Sequence, residues 1–424
     1  MAMRVDFPYG QGHVTAELPD DTTVIEPHPQ PGLEDERAAF VSALRAPIGS
    51  APLRQLVGPD DRVVIVIADG TRAAPSERMV PWILEELDAV PRDRVTVLVG
   101  TGTHRPNTPA ELERMLGRRL LQEVRVVNHS AYDDAGLVHL GEVPGGGPVW
   151  LNRHYVEASV RIVTGFIEPH FFAGFSGGPK GVAPGVAGLE TILWLHGARL
   201  IGDPRATWGV LDGNPVHEAI RAAVKLAPPH FLANVTLNER RQITGVFAGN
   251  YLEAHRAGCE ACRRASTRAV DRWFDVVVTS NSGFPLDQNL YQTVKGLSAA
   301  ARIVRPGGAI VAVSECADGV PSHGRFGELL SRGRGPRDWL RMVEEPGFRS
   351  LDQWQVQILA MVLERARVYL LSSLPPATVE AAGLVPVTGV EEALDAEAHR
   401  SGAPRPLAVA ALPMGPLTIP YVRI

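Results

Sequence analysis

The stretch RVVIVIAD at 62–69 is followed by the helix-patterned SERMVPWILEELDAV at 76–90. An unbroken run of β-branched and apolar residues suits a strand buried on both faces, since a half-exposed strand would alternate. The unit recurs downstream. RVTVLVGTG (94–102) is the next such strand, with TPAELERMLGRRLLQE (108–123) as its helix, and VRVVNHS (124–130) and RIVTGFIE (161–168) are further strands. Buried strands alternating with amphipathic helices predict a mostly parallel sheet covered on both sides. HFLANVTLNER (230–240) and QITGVFAG (242–249) read as an antiparallel addition, and LEAHRAGCEACRRAS (252–266) as a closing helix. GPVWLNRHYVEAS (147–159) and the arginine-rich SRGRGPRDW (331–339) read as loops or surface.

Near residue 270 the pattern restarts. FDVVVTS (274–280), GAIVAVSE (308–315) and RVYLLSS (367–373) are buried strands, with NLYQTVKGLSAAARIV (289–304) and DQWQVQILAMVLERA (352–366) as helices between them. The expected architecture is therefore two α/β domains, a larger one at 1–270 and a smaller one at 271–401, with the active site in the cleft between them. The last strand, PLAVAALPM (406–414), is expected to return to the first domain with the rest of 402–424.

Bulk properties narrow the function. A chain of 424 residues is long enough for two or three cores. A net charge of −5, with no basic run interleaved with aromatics, argues against nucleic acid as a partner. Three cysteines cannot form a disulfide framework, and the Cys259/Cys262 pair lacks the second ligand pair of a structural zinc site. No signal-peptide core or membrane-length apolar run is present, so a cytoplasmic protein without a membrane partner is expected. Oligomeric state is not readable.

The polar motifs fall just past strand ends. Asp69-Gly70-Thr71-Arg72 follows RVVIVIA, Thr103-His104-Arg105 follows RVTVLVG, and His170 follows RIVTGFIE. Ligands of open α/β sheets bind beyond the carboxyl ends of the strands, so three such motifs converge on one site. Each histidine taken alone is a cap or loop residue by default, and His129, His139, His154 and His217 are left structural for want of such placement. After His170, glycines 174, 177, 178, 181, 185 and 188 surround Lys180, a density suited to a loop wrapped closely on an anion. The phosphate-loop pattern G-x-x-x-x-G-K-[ST] fails here, because Pro179 precedes the lysine and Gly181 follows it. His196 ends the apolar LETILWLH, where a cation would also suit the helix dipole. Gln288, Tyr291, Gln292 and Lys295 recur at helical spacing, either as a solvated stripe or as a face turned to the cleft.

The run PHFFAGFSGGPKGVAPGVAGLETILWLH (169–196), with DGTR (69–72), GTHRP (102–106) and QNLYQTVKG (288–296), closely resembles the signatures of the nickel-pincer-dependent lactate racemase family over the whole chain. It departs from the family pattern at Ala73-Ala74, where a proline usually follows the arginine. The resemblance implies a racemase or epimerase of a 2-hydroxy acid, working by hydride transfer through a 2-keto acid. It implies a nickel pincer pyridinium mononucleotide (pyridinium-3,5-bisthiocarboxylic acid mononucleotide) anchored on Lys180, with His196 as nickel ligand and His104 and His170 as acid and base. Arg72, Tyr291, Gln292 and Lys295 would bind substrate, and Asp69, Thr71 and Trp354 would adjoin the cofactor, with Asp69 orienting a histidine or a sugar hydroxyl. Backbone amides at Ser176, Gly177 and Gly178 are candidates, by general logic and not by resemblance, for holding the nucleotide phosphate. Cofactor-synthesis proteins would be transient partners. A conventional zinc hydrolase and a non-catalytic cofactor-binding member remain the alternatives, and the substrate side chain is open.

Overall fold

In a computed structural model, which describes residues 2–321, 324–402 and 406–423, the buried runs form two six-stranded sheets. The first has the order Ile243–Gly249, Phe231–Leu237, Val160–Phe166, Val63–Ala68, Val95–Gly100, Arg125–Asn128. All neighbours are parallel except the outermost pair, in which Ile243–Gly249 runs antiparallel to Phe231–Leu237. From Val63–Ala68 the chain winds outward to one edge and then resumes on the other side with Val160–Phe166. The strand order therefore reverses between those two strands, which is where a doubly wound sheet opens a crevice for ligand.

The second sheet is parallel throughout, in the order Val385–Val387, Arg367–Leu371, Val304–Val313, Phe274–Ser280, Val409–Leu412, Thr23–Val24. The strand Val409–Leu412 thus does not return to the first sheet as expected, while Ile419–Val422 after it pairs with Thr267–Val270 in a separate two-stranded ribbon. Val276–Thr279 pair with Val409–Leu412, and Ala410 in turn pairs with Thr23. Its VAAL core is buried in all four residues, so either sheet would satisfy its apolar character, and the pattern carried no preference.

Three apolar layers hold the sheets. One face of the first sheet packs Val63, Ile65 and Val97 under Met79, Ile83 and Leu44. The outer face of the second packs Val276, Val278 and Val311 under Phe7 and Leu18 of an N-terminal hairpin and under Val390 of the helix Val390–Ser401. The two inner faces share one continuous cluster, running from Val64, Leu98 and Val163 through Phe172 and Trp354 to Val277 and Ile310. The site lies on that shared layer.

Two stretches expected as loops are ordered elements. Gly147–Asn152 pairs with Leu137–Val143, and Val149, Leu151 and Tyr155 are buried. Within SRGRGPRDW, Pro336 opens the helix Pro336–Glu344 and Trp339 is buried. In both, the arginines and glycines that suggested surface flank one apolar face that docks on the core. No helix among the described residues is long and apolar enough to cross a membrane.

Candidate functional site

The three strand-end motifs are built as tight turns. After Val63–Ala68, the carboxylate of Asp69 points inward and is 4% exposed. Its Oδ1 accepts from the Thr71 amide at 3.2 Å and the Thr71 hydroxyl at 2.6 Å. Its Oδ2 meets His104 Nδ1 at 2.6 Å. His104 is brought there by a turn in which its own amide bonds Thr101 O at 2.9 Å, and Gly102 N bonds Gly185 O of the glycine-rich loop at 2.9 Å. Burial pushes the Asp69 carboxyl up, but the His104 bond and charge, Arg72 and the Thr71 hydroxyl outweigh it and hold the carboxyl below its ordinary value. An ionised Asp69 keeps the proton of neutral His104 on Nδ1 and leaves Nε2 as an acceptor, on a side chain 41% exposed. That is the arrangement of a general base with its orienting carboxylate.

His170 is held differently. Pro169–His170 and Gly174–Phe175 form a two-residue ribbon, and His170 Nδ1 accepts from the Ala173 amide at 3.3 Å. Phe171 stacks on the ring at 5.0 Å and Phe172 meets it edge-on at 4.5 Å. Burial, then Lys180, Lys295, Arg72 and His196, push this imidazole well below its ordinary range. Neutral His170 therefore carries its proton on Nε2, the opposite tautomer to His104.

The glycine density around Lys180 has a packing cause. A Cβ on Gly178, whose φ is +56°, would lie 2.3 Å from the His255 ring, and one on Gly185 would lie 2.2 Å from Gly181 O. The loop is pressed onto Asn234 and His255: Gly178 N donates to Asn234 Oδ1 at 2.7 Å and His255 Nε2 donates to Ser176 O at 2.9 Å. The Ser176 amide is also taken, by Glu168 O at 2.9 Å. Two of the three amides considered for a phosphate thus already serve the loop's own fold. Lys180 emerges from the short turn Gly178–Gly181, with Nζ 5.7 Å from the Phe172 ring centre. Burial, then Arg72 and Lys295, push its amine down to about 7.

His196 terminates the helix Leu189–Leu195. Its Nδ1 donates to Ile192 O at 2.8 Å, which directs the Nε2 lone pair away from the helix. Burial, then the Lys180 charge, push the imidazole down to about 3, so it is neutral at physiological pH and in the form that binds metals. The alternative of a cation serving the helix dipole does not fit that neutral state. Phe172 packs edge-on against its ring at 5.4 Å and Trp354 lies over it at 4.5 Å.

The second sheet supplies the other wall. The helix Leu290–Ala300 is capped by Asn289, whose Oδ1 accepts from Gln292 N at 3.1 Å. Gln288 therefore precedes the helix and does not share its face. Tyr291 O–H accepts from Trp354 Nε1 at 2.9 Å, and Gln292 Oε1 is buried without a hydrogen-bond partner among the described residues. Burial, then Arg72, push Lys295 down to about 7, with Glu168 opposing. Arg72 lies on the exposed side of the group, and its charge is felt at Asp69, His170, Lys180 and Lys295.

The structure thus brings together Asp69, Arg72, His104, His170, Lys180, His196, Tyr291, Lys295 and Trp354. It also shows two features the motifs did not announce. Glu168, half-buried beside the Lys295 and Arg72 charges, is raised by burial and adjoins Pro169-His170 at a strand end. The chain has three lysines, at 180, 225 and 295, and two of them meet here. Such sparing use of lysine in a chain with 42 basic residues was the available signal. His129, left structural from sequence, bonds Ala187 O at 2.9 Å and the Asn152 amide at 3.1 Å in the core.

Residues 9–209 match the family model described as lactate racemase N-terminal domain, and residues 270–415 match that of the lactate racemase C-terminal domain. The chain is 36% identical over 378 residues to the lactate racemase of Lactiplantibacillus plantarum, covering 87% of this chain and 88% of that one. It is 35% identical over 375 residues to that of Thermoanaerobacterium thermosaccharolyticum, with the same coverage. The lactate racemase apoprotein structure from T. thermosaccharolyticum superposes with a TM-score of 0.92 at 33% identity, over 100% of both chains. A Thermotoga maritima structure shares the fold, with a TM-score of 0.70 at 19% identity over 93% of this chain and 100% of that one. Two family models in sequence order, and relatives of the same kind over nearly the full length, place this chain in the lactate racemase family, as an isomerase of the racemase class.

Proposed function

We propose that this chain racemises or epimerises a 2-hydroxy carboxylate, lactate or a close relative, with a nickel pincer nucleotide anchored on Lys180. The observation that carries the reading is the pair formed by Lys180 and His196 around Phe172. One is an amine brought to about 7, the other an imidazole with Nδ1 committed and Nε2 available. Among the described residues no group of three or more histidines, cysteines or acids is placed to hold a metal. A metal at His196 would therefore draw its other donors from a bound group, which suits a pincer and disfavours a conventional zinc hydrolase. The unpartnered Gln292 Oε1 beside the cleft is a further polar atom that a ligand would satisfy.

When bound, the nickel–pyridinium group would supply a reversible hydride acceptor at the substrate carbinol carbon. The chain's own residues do the rest. Lys295 and Arg72 hold the carboxylate. His104, with Asp69 behind it, accepts the hydroxyl proton at Nε2, and His170 presents Nε2–H to the substrate oxygen. Trp354, Phe171 and Phe172 exclude water from the reacting carbon. Thr71 serves the site through Asp69.

Two measurements test this together. Intact-mass analysis of protein made with nickel and the cofactor-synthesis proteins should show a nucleotide-sized adduct lost in Lys180→Ala. A 2-hydroxy acid deuterated at its α-carbon should racemise with the label retained in ordinary water. Active enzyme without an adduct removes the anchor, and label lost at the rate of racemisation removes hydride transfer.

A further inference from the structure

The helix Gln353–Arg365 begins QWQVQ, and its three glutamines are all at most 1% exposed. At 100° per residue, Gln353 and Gln357 share one face, Gln355 lies almost opposite, and Trp354 projects between them. Their bonds follow that division. Gln353 Nε2 donates to His196 O at 3.2 Å and Gln357 Nε2 donates to Ala198 O at 2.9 Å. On the other side, Gln355 Nε2 donates to Tyr291 O, at the start of the helix that carries Lys295. Trp354 bonds the Tyr291 hydroxyl and covers the His196 ring.

Packing alone does not account for this choice of residues. Gln355 and Gln357 each leave Oε1 buried without a partner among the described residues, a cost that leucine or methionine would avoid. Gln353 has both ends engaged, its Oε1 accepting from Ser350 N at 2.7 Å. What the amides give is direction: each fixes one backbone carbonyl at a set distance from one helix axis. Two of those carbonyls flank or belong to His196, and the third belongs to the substrate-side helix.

We propose that Gln353 and Gln357 are positioning residues for His196, and that Gln355 ties the Tyr291–Lys295 helix to the same axis. The helix Gln353–Arg365 then acts as a spacer that sets the metal-ligating imidazole against the groups that hold substrate. The inference rests on the reading of His196 as a nickel ligand for its consequence, but not for its geometry.

The test uses Gln353→Leu and Gln357→Leu, each of which removes one donor to a backbone carbonyl at or beside His196. In the unloaded protein, amide hydrogen exchange of the segment 193–202 should accelerate in both leucine variants, with the first sheet unchanged. In loaded protein, the Lys180 adduct should persist while nickel is lost to a chelator roughly tenfold faster, with a shifted absorption band of the metal centre. Wild-type exchange in 193–202 in both leucine variants overturns the proposal, as does wild-type nickel retention in them. Wild-type protein that carries no adduct or nickel would instead defeat the functional reading, with the exchange result still deciding the spacer.

Discussion

Replacing Asp69 by asparagine should separate catalysis from folding, for a reason visible in the hydrogen bonds. Oδ1 of Asp69 accepts twice from Thr71, from its amide and its hydroxyl. An asparagine would keep its carbonyl there, since its NH₂ has no acceptor in that position. The NH₂ would then face His104 Nδ1, 2.6 Å from the present Oδ2, and would donate to it. His104 would be forced to the tautomer with its proton on Nε2, the atom needed as base. Two of the three bonds survive unchanged and the third becomes a neutral one, so the stability loss should stay at about 1–1.5 kcal/mol, the difference between a hydrogen bond to a charged group and a neutral one. Loss of a positioned base costs ~10²–10⁴ in rate, or about 2.7–5.4 kcal/mol of barrier at 1.36 kcal/mol per decade. Racemisation should be followed by chiral chromatography on protein shown by mass to carry the Lys180 adduct. The tautomer should be read from the ¹⁵N shifts of the His104 ring. Asp69→Asn within about threefold of the parent rate, or with the Nδ1–H tautomer intact, would refute the argument.

Four further outcomes follow from the same geometry. His104→Ala and His170→Ala should each lose about 10²–10⁴ of the racemisation rate in both directions, and a near-normal rate in either would make that histidine structural. Lys180 and Lys295 are brought to about 7 by burial and then by the Arg72 charge, so at pH 7.5 both are partly neutral. Binding a 2-hydroxy acid to unloaded protein should therefore take up protons, seen as a buffer-dependent heat in calorimetry, and no buffer dependence would count against it. The depressed Asp69 carboxyl stabilises the fold at every pH above the usual unfolded value near 3.9. That contribution should vanish as pH falls through the lower folded value, and Asp69→Asn should flatten this part of the urea-midpoint profile. Gly178→Ala should cost about 1–3 kcal/mol, since a Cβ at φ +56° meets the His255 ring at 2.3 Å. Denaturant titration reads that loss directly.

What the sequence disclosed depended on whether the signal was local. RVVIVIAD, RVTVLVG and RIVTGFIE announced parallel strands because burial on both faces leaves no alternation, and the loops after them followed from strand-end placement. His104, His170, Lys180 and His196 stood out through irregular motifs that composition does not produce, and the fold gathers them into one group. The partner sheet of VAAL at 409–412 was not legible, because a fully buried strand fits any parallel neighbour. Nor were the three glutamines, whose amides find carbonyls 157 to 159 residues away for His196 and Ala198. Ser176 and Gly178 misled for the opposite reason. A backbone amide looks free in a sequence, and only the fold shows that Glu168 and Asn234 already hold these two.

The pairing of Thr23 with Ala410 bears on how the molecule is made. The ribosome releases the hairpin Ala2–Pro19 and the strand Thr23–Val24 early, yet their apolar partners Val276, Val409 and Ala411 come much later. Phe7 and Leu18 must stay uncovered, or be chaperoned, until those partners emerge. The first sheet, whose strands all lie between 63 and 249, can condense meanwhile. Assembly of the cleft is thereby deferred until residues near 410 have emerged, so nascent chains should present the glycine-rich loop well before they can close on anything bound to it.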